Sequence, residues 1–398
     1  MKTFGRPKNK EDLHWNMETN SAQCFWPWQG FVIDPLGYIT ICCNSRHYTP
    51  WRKHISEVDS LLDFWHGEEF VKLRIDMANE GWQSLPSCET CRKGQNLAPL
   101  YHSNTLYEEG YVDVDVKNFL KPRLFYLELN TSNVCNQTCV TCDSSFSSLW
   151  QKIEHKFDRK PEPIYSYSDK EIDKILEIIP SIKQIQLKGG EPFADTKNIK
   201  IIKATGPESH ITICSNLQNV PKQIEAEIVK NPDKFSISAS IDGIGKIGNW
   251  IRGGDFDKVC KNMERLHDKC GIVFNNNVTL SIYNVEHLRE IYEFFKDKPY
   301  IKPISFSQNS IVLTPKWCSV VYLLEQEELD AIIDKQFSGT NIEIGALKRL
   351  MCLGSPKSRQ WHHHALMKYT KAMSSIRGFD IPIGTIYKRY KYFYGRYI

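Results

Sequence analysis

Three cysteines stand close together in the middle of the chain, at Cys135, Cys139 and Cys142, in a C-x3-C-x2-C spacing. An apolar run rich in strand-forming residues, 124–129, leads directly into them. Three thiolates on one short loop can hold three irons of a cubane cluster, which leaves the fourth iron without a protein ligand. A reactive cofactor needs such an open metal position, whereas structural metal sites are usually closed. The spacing by itself also fits a zinc-binding or redox loop.

This loop resembles the cluster loop of the radical S-adenosylmethionine (SAM) superfamily. In that family SAM chelates the open iron, one electron from the cluster cleaves SAM, and the resulting deoxyadenosyl radical abstracts a hydrogen atom from the substrate. The resemblance therefore implies a catalytic [4Fe-4S] cluster on the three cysteines, with SAM as a further cofactor. The loop departs from many relatives at Thr141, where they carry an aromatic residue, but its tail SSFSSLW still resembles the twitch-containing branch of the family.

The composition is that of an ordinary soluble globular protein. The chain has 398 residues, of which 41% are hydrophobic and 25% charged, enough for a large core in two or three domains. A net charge of +4 is too small to indicate a nucleic-acid or anionic-membrane partner, and no apolar run has the length of a membrane span. The first residues lack the apolar core of a signal peptide. Thirteen cysteines in clustered spacings favour metal ligation over disulfides, so we expect a cytoplasmic protein.

The first hundred residues predict a small α+β domain. Proline fixes φ and glycine takes positive φ, so the sequence DPLG at 34–37 predicts the turn of a hairpin. Apolar residues at helical spacing, with capping signals around them, predict two helices behind the hairpin. The expected helices cover about 57–65, after a Ser56 cap, and 68–79, which Gly81 ends.

Four cysteines of this segment can hold a metal group of their own. Four thiolates suit either a fully ligated iron–sulfur cluster or a zinc ion, and their spacing does not separate the two. The arrangement resembles the auxiliary-cluster module called twitch, a short relative of the SPASM domain, in its Gly37-x4-Cys strand, its Leu73-Arg74 helix and its final C-x-x-C. The resemblance implies an auxiliary [4Fe-4S] cluster, although in most relatives this module follows the barrel. The implied ligands are Cys24, Cys42, Cys88 and Cys91, with Cys43 as a rival for Cys42.

From residue 124 onward, strand-like and helix-like stretches alternate. A capping box from Ser168 to Glu171 opens a helix with apolar residues at i, i+3, i+4 and i+7, and Pro180 ends it. Six βα units predict a parallel sheet with helices outside it, too few for a closed eight-stranded barrel. The radical SAM resemblance implies an open, partial (β/α)6 barrel with its ligands at the carboxyl ends of the strands. The expected strands cover 124–129, 183–187, 210–214, 235–241, 272–282 and 303–312.

The expected fold class is therefore α/β, a partial (β/α)6 barrel preceded by a small α+β cluster-binding domain. The stretch between them has scattered glycine and proline residues and no clear amphipathic run, which predicts a connection. The expected segments are a twitch/SPASM-like domain at 1–92, a linker at 93–121, the radical SAM barrel at 122–335 and a partly helical C-terminal extension at 336–398.

Polar and glycine-rich residues follow three of the expected strands. Paired glycines let the backbone approach a ligand closely, and a carboxylate can accept a hydrogen bond from an ammonium group. The resemblance implies that a GGEP motif holds the SAM amino group and that a Ser-Asn pair lies near SAM. It also implies that a serine bonds the ribose and that an arginine pairs with the SAM carboxylate. The implied residues are Gly189, Gly190, Glu191, Pro192, Ser215, Asn216, Ser238 or Ser240, and Arg252.

Ordinary structural roles compete with these assignments. The glycine pair also fits a strand-to-helix turn, and Arg252 also fits a surface ion pair. Strand alternation puts Ser238 and Ser240 on one face, so the pattern does not choose between them. Other residues are expected to have structural roles only: buried thiols at Cys214, Cys260, Cys270, Cys318 and Cys352, a solvated loop at His362–His364, and a docked or frayed terminus at 387–398.

The leading hypothesis is a radical SAM oxidoreductase-like enzyme that oxidises a small molecule, with the auxiliary cluster as electron acceptor. The expected partners are the substrate and a reductase such as flavodoxin or ferredoxin, and neither a membrane nor a nucleic acid. One alternative is modification of a peptide or protein, although only about twenty residues precede Cys24, too few for a folded peptide-recognition domain. Another is a non-catalytic adaptor that holds zinc with both cysteine sets. The sequence identifies no general base.

Overall fold

The computed structural model describes residues 26–43, 45, 51–80, 84–88, 122–304, 310–342, 344, 347 and 350–380. The chain divides into two compact units, which we describe separately. The first unit comprises residues 1–132 and 165–213, and the second unit comprises residues 133–164 and 214–398. The predictions for Cys24, Gly81, Cys91, the linker and the basic tail lie outside the described residues, so the predicted domain boundaries stay predictions.

The first unit is an α/β assembly around a largely parallel sheet. Its elements are α1 (Trp26–Gln29), β1 (Gly30–Ile33), β2 (Tyr38–Thr40), β3 (Lys53–His54), α2 (Leu61–His66), α3 (Glu68–Glu80), β4 (Tyr126–Leu129), α4 (Asp169–Ile178), β5 (Gln184–Leu187), α5 (Asn198–Ala204) and β6 (His210–Ser215), whose last two residues belong to the second unit. The strand order is β3-β2-β1-β4-β5-β6. The strands from β1 through β4 and β5 to β6 are parallel, and β2 is antiparallel to both of its neighbours.

Side chains alternate between an apolar and a polar face along the central strands. Leu127, Ile185 and Ile211 lie in register on β4, β5 and β6, and each is at most 1% exposed. Glu128 and Gln186, also in register, lie on the opposite face. A slip of one residue would exchange the two faces, so the alternation specifies the pairing register.

The predicted hairpin joins this same sheet. Its turn is confirmed, because Asp34 Oδ1 accepts from the backbone N–H groups of Leu36 and Tyr38, and Gly37 has a φ of +85°. A Cβ atom at Gly37 would lie 2.3 Å from Nε2 of His54, so space as well as backbone conformation requires glycine there. Since β1 pairs with β4 along its whole length, the hairpin extends the sheet that contains the first expected barrel strand.

The helix predicted after a Ser56 cap begins later than expected. The cap of α2 is Ser60, whose hydroxyl accepts from the backbone N–H of Asp63 at 3.2 Å. Residues Ile55–Glu57 form a separate 3-10 turn, whose first N–H groups are capped by the His54 side chain. The N–H of Ser56 donates to Nδ1 of that imidazole at 3.1 Å. Ser56 therefore lies inside the 3-10 turn and does not cap α2. The second predicted helix is confirmed as α3.

Helix α3 is tied to its neighbours by a buried arginine. Arg74 is 1% exposed, and burial lowers its pKa to about 9. Its Nε donates to the carbonyl of Pro27 at 2.7 Å, its Nη2 donates to the carbonyl of Trp65 at 2.9 Å, and its guanidinium lies 4.3 Å from the centre of the Trp65 ring. Pro27 is in α1 and Trp65 in α2, so one side chain holds three short helices together.

The second unit contains the remaining strands and helices. They are α6 (Lys222–Lys230), β7 (Phe235–Ser240), α7 (Gly245–Arg252), α8 (Phe256–Cys270), β8 (Asn275–Asn277), β9 (Thr279–Leu280), α9 (Leu288–Phe295), β10 (Ser310–Ile311), α10 (Val320–Leu323), α11 (Gln326–Phe337) and α12 (Pro356–Arg377). Strand β7 pairs in parallel with β8, and β9 pairs in parallel with β10. The alternation of strand and helix predicted for this region is therefore present.

The fifth predicted strand, 272–282, is interrupted. It forms the short strands β8 and β9, and the N–H of Thr279 at the break donates to Oδ1 of Asp242 at 2.8 Å. A side-chain carboxylate therefore takes a hydrogen bond that a sheet partner would take in a continuous strand. Of the sixth predicted strand, only β10 forms within the described residues.

The expectation of a solvated loop at His362–His364 is wrong. These residues lie on α12, which runs for 22 residues between a Ser355 cap and Gly378. His362 and His363 are 8% and 3% exposed, while His364 faces solvent. Helical periodicity over 22 residues makes one face of this segment buried, and two of the three histidines fall on it.

The cysteines outside the two predicted metal sets differ in burial. Cys318 is buried, as expected, whereas Cys214, Cys260, Cys270 and Cys352 are half-buried. In the described part of the chain, none of the helices has the length and apolarity that crossing a bilayer requires.

Candidate cofactor site

The three predicted cluster cysteines lie on one irregular loop of the second unit, residues 133–150, which we call the cluster loop. The N–H of Cys135 donates to Oγ of Ser148 at 3.2 Å, and the N–H of Cys142 donates to the carbonyl of Cys139 at 3.0 Å. All three thiols are half-buried. Local hydrogen bonds therefore set the backbone at each end of the C-x3-C-x2-C segment.

The SSFSSLW tail supports the cluster loop from within. Oγ of Ser147 donates to the carbonyl of Gln137 at 2.6 Å, and Nε1 of Trp150 donates to the carbonyl of Cys139 at 2.9 Å. Trp150 is fully buried, which immobilises its donor. The tail that carries part of the family resemblance thus has a physical role, because it satisfies backbone carbonyls that no strand or helix can satisfy.

Two donors on α12 contact the same stretch of backbone, and sequence reasoning missed both. The hydroxyl of Tyr369 donates to the carbonyl of Val140 at 2.6 Å. Arg377 donates to the carbonyl of Thr138, and also to its hydroxyl at 2.6 Å. The sequence signal that could have drawn attention to these two donors is the buried face of α12, where Tyr369 and Met373 stand at i and i+4. That spacing predicts packing but not the partner.

The cysteine set fits a positively charged metal group. Burial raises the pKa of the Cys139 thiol, and burial followed by the nearby charge of Cys139 raises the pKa of Cys142 well above its usual value. Thiolates in this setting need a compensating cation, which bound iron supplies. No three His, Cys, Asp or Glu side chains among the described residues converge as they would around a single ion. In a cubane cluster each cysteine binds a different iron, so the three sulfurs need not converge.

Arg252 lies beside Cys139 in a buried ion pair. Its Nη1 donates to Oδ2 of Asp242 at 2.6 Å, and the two side chains are 19% and 3% exposed. Its backbone carbonyl accepts from the Cys139 thiol at 3.5 Å. Burial lowers the pKa of Arg252, but the negative charges of Cys139 and Asp242 outweigh it and leave the pKa raised. The surface ion pair considered for Arg252 is therefore wrong, because its carboxylate partner is buried.

A small pocket brings Arg252 together with residues at two strand ends. Asn216 and Ser240 line it with Arg252. Ser238 and Ser240 share a face of β7, as expected, but Ser240 lines this pocket and Ser238 does not. Nδ2 of Asn216 donates to Oδ1 of Asn136 in the cluster loop at 2.7 Å. The second unit thus contains the cluster cysteines and a pocket lined by three of the predicted SAM residues.

Ser215, the other half of the predicted polar pair, has a local structural role. It is 1% exposed, and its hydroxyl accepts from the N–H of Leu217 at 2.9 Å. Leu217 has a φ of +54°, a conformation that needs such support in a branched residue. Asn216, rather than Ser215, therefore reaches the pocket.

The glycine-rich motif after β5 belongs to the first unit. Gly189 has a φ of +116°, and a Cβ atom there would lie 2.7 Å from the carbonyl oxygen of Ser132. The N–H of Gly190 donates to that same oxygen at 2.9 Å. Glu191 is 3% exposed, and its Oε1 accepts from the N–H of Phe193 at 3.0 Å. The motif therefore forms a tight turn that buries a carboxylate.

Pro192 helps to hold this turn in place. Its carbonyl accepts from Nδ2 of Asn198 at 2.9 Å, and Asn198 is 1% exposed at the start of α5. The strand-to-helix turn considered as an alternative is thus present.

Two of the four predicted auxiliary ligands fall on described residues. Cys42 and Cys88 are half-buried, while Cys43 is exposed. Oγ of Ser45 accepts from the N–H of Cys42 and donates to its carbonyl, both at 2.9 Å, so the backbone at Cys42 is held on both sides. The four-cysteine set, and the choice of Cys42 over Cys43, stay predictions.

Two segments of the chain match known domain families. Residues 129–295 match the radical SAM superfamily, and residues 24–92 match SPASM, an iron-sulfur cluster-binding domain. The chain therefore combines a radical SAM domain with a preceding SPASM-type domain. These matches imply a [4Fe-4S] cluster, SAM and an auxiliary iron–sulfur cluster as cofactors, and the predicted α/β fold class and family resemblance are confirmed.

Individual relatives are distant. The GTP 3',8-cyclases of Listeria welshimeri and Listeria monocytogenes are 24% identical over 179 residues, which cover 44% of this chain. The chain spans about half the length of these curated relatives, 51%. Among solved structures, native anSMEcpe with bound AdoMet is 18% identical with a TM-score of 0.41, over 53% of this chain and 59% of that one. Streptococcus suis SuiB bound to S-adenosylmethionine is 14% identical with a TM-score of 0.42, over 77% and 67%.

Gly253, directly after Arg252, offers a test of the contact between this site and α12. A Cβ atom at Gly253, where φ is +69°, would lie 2.7 Å from the guanidinium of Arg377. Gly271 ends α8 with a φ of +72° and has nothing within 4 Å of its Cβ position. We expect Gly271→Ala to cost about 1–2 kcal/mol for the left-handed backbone, and Gly253→Ala to cost more because Arg377 must also move. Urea unfolding compares the two variants, and equal losses would contradict the close contact.

Proposed function

We propose that this chain, with its radical SAM and SPASM-type domains, is an enzyme that reductively cleaves SAM and abstracts hydrogen from a substrate. The observation that carries the proposal is the cluster loop, where Cys135, Cys139 and Cys142 lie together on a backbone fixed by hydrogen bonds to side chains. When bound there, the cluster supplies one electron for cleavage of SAM to a deoxyadenosyl radical.

The chain's own residues would bind and orient SAM. Within the described part of the chain, the hydrogen bonds of the Arg252 guanidinium use Nε and Nη1, which leaves Nη2 to meet the SAM carboxylate. Asp242 keeps this guanidinium in place. Ser240 would bond the ribose, Asn216 would lie near SAM, and Glu191 would hold the amino group, as the family resemblance implies.

We further propose that the reaction is the oxidation of a small molecule. Hydrogen abstraction leaves a carbon radical on the substrate, and loss of one more electron and a proton gives an oxidised product. An auxiliary cluster on Cys24, Cys42, Cys88 and Cys91 would have four cysteine ligands and no open iron, so its role would be to accept that electron. A reductase such as flavodoxin or ferredoxin would supply the electron that begins the reaction. The reducing cytoplasm, where so many thiols stay reduced, is the proposed location.

Modification of a peptide is the second candidate. An open cleft of about 610 Å³ in the second unit is lined by Trp317, Trp361 and His362, together with charged side chains of both signs. Aromatic faces beside mixed charges suit a peptide segment better than a small uncharged polyol. The third alternative, a zinc-binding adaptor, gives no role to the radical SAM domain.

The first prediction concerns iron content. Two cubane clusters would bring about eight irons per chain after anaerobic reconstitution. Replacing Cys135, Cys139 and Cys142 together by Ala should leave about four. Replacing Cys260, Cys270 and Cys352, which lie outside both sets, should leave the iron content unchanged. A cluster-loop variant that retains all its iron would show that the catalytic cluster is bound elsewhere.

The second prediction concerns SAM affinity. Glu191→Ala and Arg252→Ala each remove a charged partner of a zwitterion, so we expect a loss of about 1.5–3 kcal/mol, roughly ten- to a hundred-fold in Kd. Calorimetry on the reconstituted protein measures it. Because Arg252→Ala leaves Asp242 buried without its cation, the double variant Arg252→Met with Asp242→Asn is measured beside it.

Two exposed charges serve as controls for this prediction. Glu208 forms an ion pair with Lys183, and Arg265 forms one with the less exposed Glu225. Replacement of Glu208 or Arg265 by Ala should leave SAM affinity within error. Wild-type affinity in both Glu191→Ala and the Arg252 variants would reject the proposed SAM contacts.

The third prediction separates electron transfer from a purely structural role of the auxiliary cluster. In Cys88→Ala with Cys91→Ala, an electron-transfer role predicts a folded protein that still cleaves SAM to deoxyadenosine but forms little oxidised product. A structural role predicts that stability, SAM cleavage and product fall together. Cys352→Ala is the matched control. A folded double variant that makes oxidised product at the wild-type rate would overturn the acceptor role.

A further inference from the structure

Four consecutive backbone carbonyls of the cluster loop, residues 137–140, each accept a hydrogen bond from a side chain. Two of the donors, Ser147 and Trp150, belong to the cluster loop itself. The other two, Tyr369 and Arg377, belong to α12 and lie 229 and 239 residues further along the chain. The loop is therefore completed by a helix remote in sequence.

Arg377 uses all three of its nitrogen atoms at this site. Nη1 and Nη2 donate to the hydroxyl and the carbonyl of Thr138, and Nε donates to the carbonyl of Trp250 at 2.9 Å. Its guanidinium also lies against Gly253. The planar fork thus joins the cluster loop to the last turn of α7, an arrangement that lysine cannot reproduce.

The charge of Arg377 also lies close to a cluster cysteine. Two of its guanidinium nitrogens bond to Thr138, the residue directly before Cys139. Arg252 is paired with Asp242, but among the described residues no carboxylate forms an ion pair with Arg377. Arg377 is therefore a cation near Cys139 whose charge no described carboxylate offsets.

Tyr369 contributes a donor without a charge. Its ring is stacked on Trp150, with centroids 6.3 Å apart and planes 5° apart, and it contacts Phe157 at 4.9 Å. The side chain is 3% exposed, so its hydroxyl is held firmly against the carbonyl of Val140. Trp150, its stacking partner, is itself a donor to the cluster loop, and the two side chains form one rigid support.

We propose that Tyr369 and Arg377 are positioning residues for the catalytic cluster, with α12 holding the cluster loop in its ligating geometry and Arg377 placing a positive charge beside Cys139. This inference rests on the proposed binding of that cluster by Cys135, Cys139 and Cys142. A nearby cation stabilises the reduced, more negative cluster, so Arg377 raises the reduction potential. Tyr369 contributes to the retention of iron but not to the potential.

The test uses four variants of the full chain, reconstituted anaerobically. Arg377→Gln removes the charge, Arg377→Lys keeps it without the fork, and Tyr369→Phe removes the hydroxyl but keeps the ring. Lys371→Gln is the matched control, because Lys371 is an exposed cation on the same helix. Redox titration followed by electron paramagnetic resonance gives the midpoint potential, and the rate of iron loss to a chelator reports how firmly the loop holds its cluster.

We expect Arg377→Gln to shift the midpoint potential to a more negative value. The ratio of reduced to oxidised cluster at a fixed potential should fall by roughly tenfold, which corresponds to 59 mV for one electron. Arg377→Lys should restore the potential but release iron faster than the wild type. Tyr369→Phe should keep the potential and release iron faster, and Lys371→Gln should match the wild type in both measurements.

The inference is overturned if Arg377→Gln keeps the wild-type potential and Tyr369→Phe keeps the wild-type rate of iron loss. If Arg377→Gln does not fold, the rates of iron loss from Arg377→Lys and Tyr369→Phe test the inference instead. Wild-type rates in both variants would then overturn it. The variant lacking all three cluster cysteines assigns the resonance signal. Full iron retention in that variant would refute the proposed cluster site itself, whereas loss of its iron with unchanged α12 variants would refute the positioning role alone.

Discussion

Side-chain hydrogen bonds to the carbonyls of residues 137–140 are the constraint on which the candidate site depends. An irregular loop has no ladder of backbone partners, and a buried carbonyl left without a donor costs about 1–3 kcal/mol. Here Ser147, Trp150, Tyr369 and Arg377 supply the donors. With its carbonyls held in this way, the loop presents three cysteines on a backbone that is ordered by its surroundings.

The electrostatics around Cys139 follow from the same arrangement. The thiol lies in a buried environment that disfavours its charged form, and two guanidinium groups oppose that effect. One of them, Arg252, is held by the buried carboxylate of Asp242, which also accepts from Thr279 at the break between β8 and β9. Asp242 therefore contacts both the interrupted strand and the candidate SAM pocket, because one carboxylate oxygen accepts from Thr279 and the other from Arg252.

Two sequence predictions failed where a local signal was outweighed by its surroundings. Ser56 has a good capping hydroxyl, but the His54 imidazole takes its N–H group first, and the helix starts after Ser60. The histidine run at 362–364 reads as polar, yet α12 buries two of the three. In the first place a neighbouring side chain took the N–H group, and in the second the periodicity of a long helix outweighed the polarity of three residues.

The sequence alone determined the thiolate chemistry predicted for the cluster loop and the order of elements. Spacing brings Cys135, Cys139 and Cys142 onto one loop, turn chemistry explains the hairpin at Gly37, and periodicities of two and 3.6 residues locate most strands and helices, because these are properties of neighbouring residues. Only the tertiary structure decided that Ser240 rather than Ser238 lines the pocket with Arg252, and that Tyr369 and Arg377 hold the cluster loop. Each of these contacts depends on a single hydrogen bond, or on the position of one side chain relative to residues far away in the chain. Such contacts do not produce a periodic pattern in the sequence.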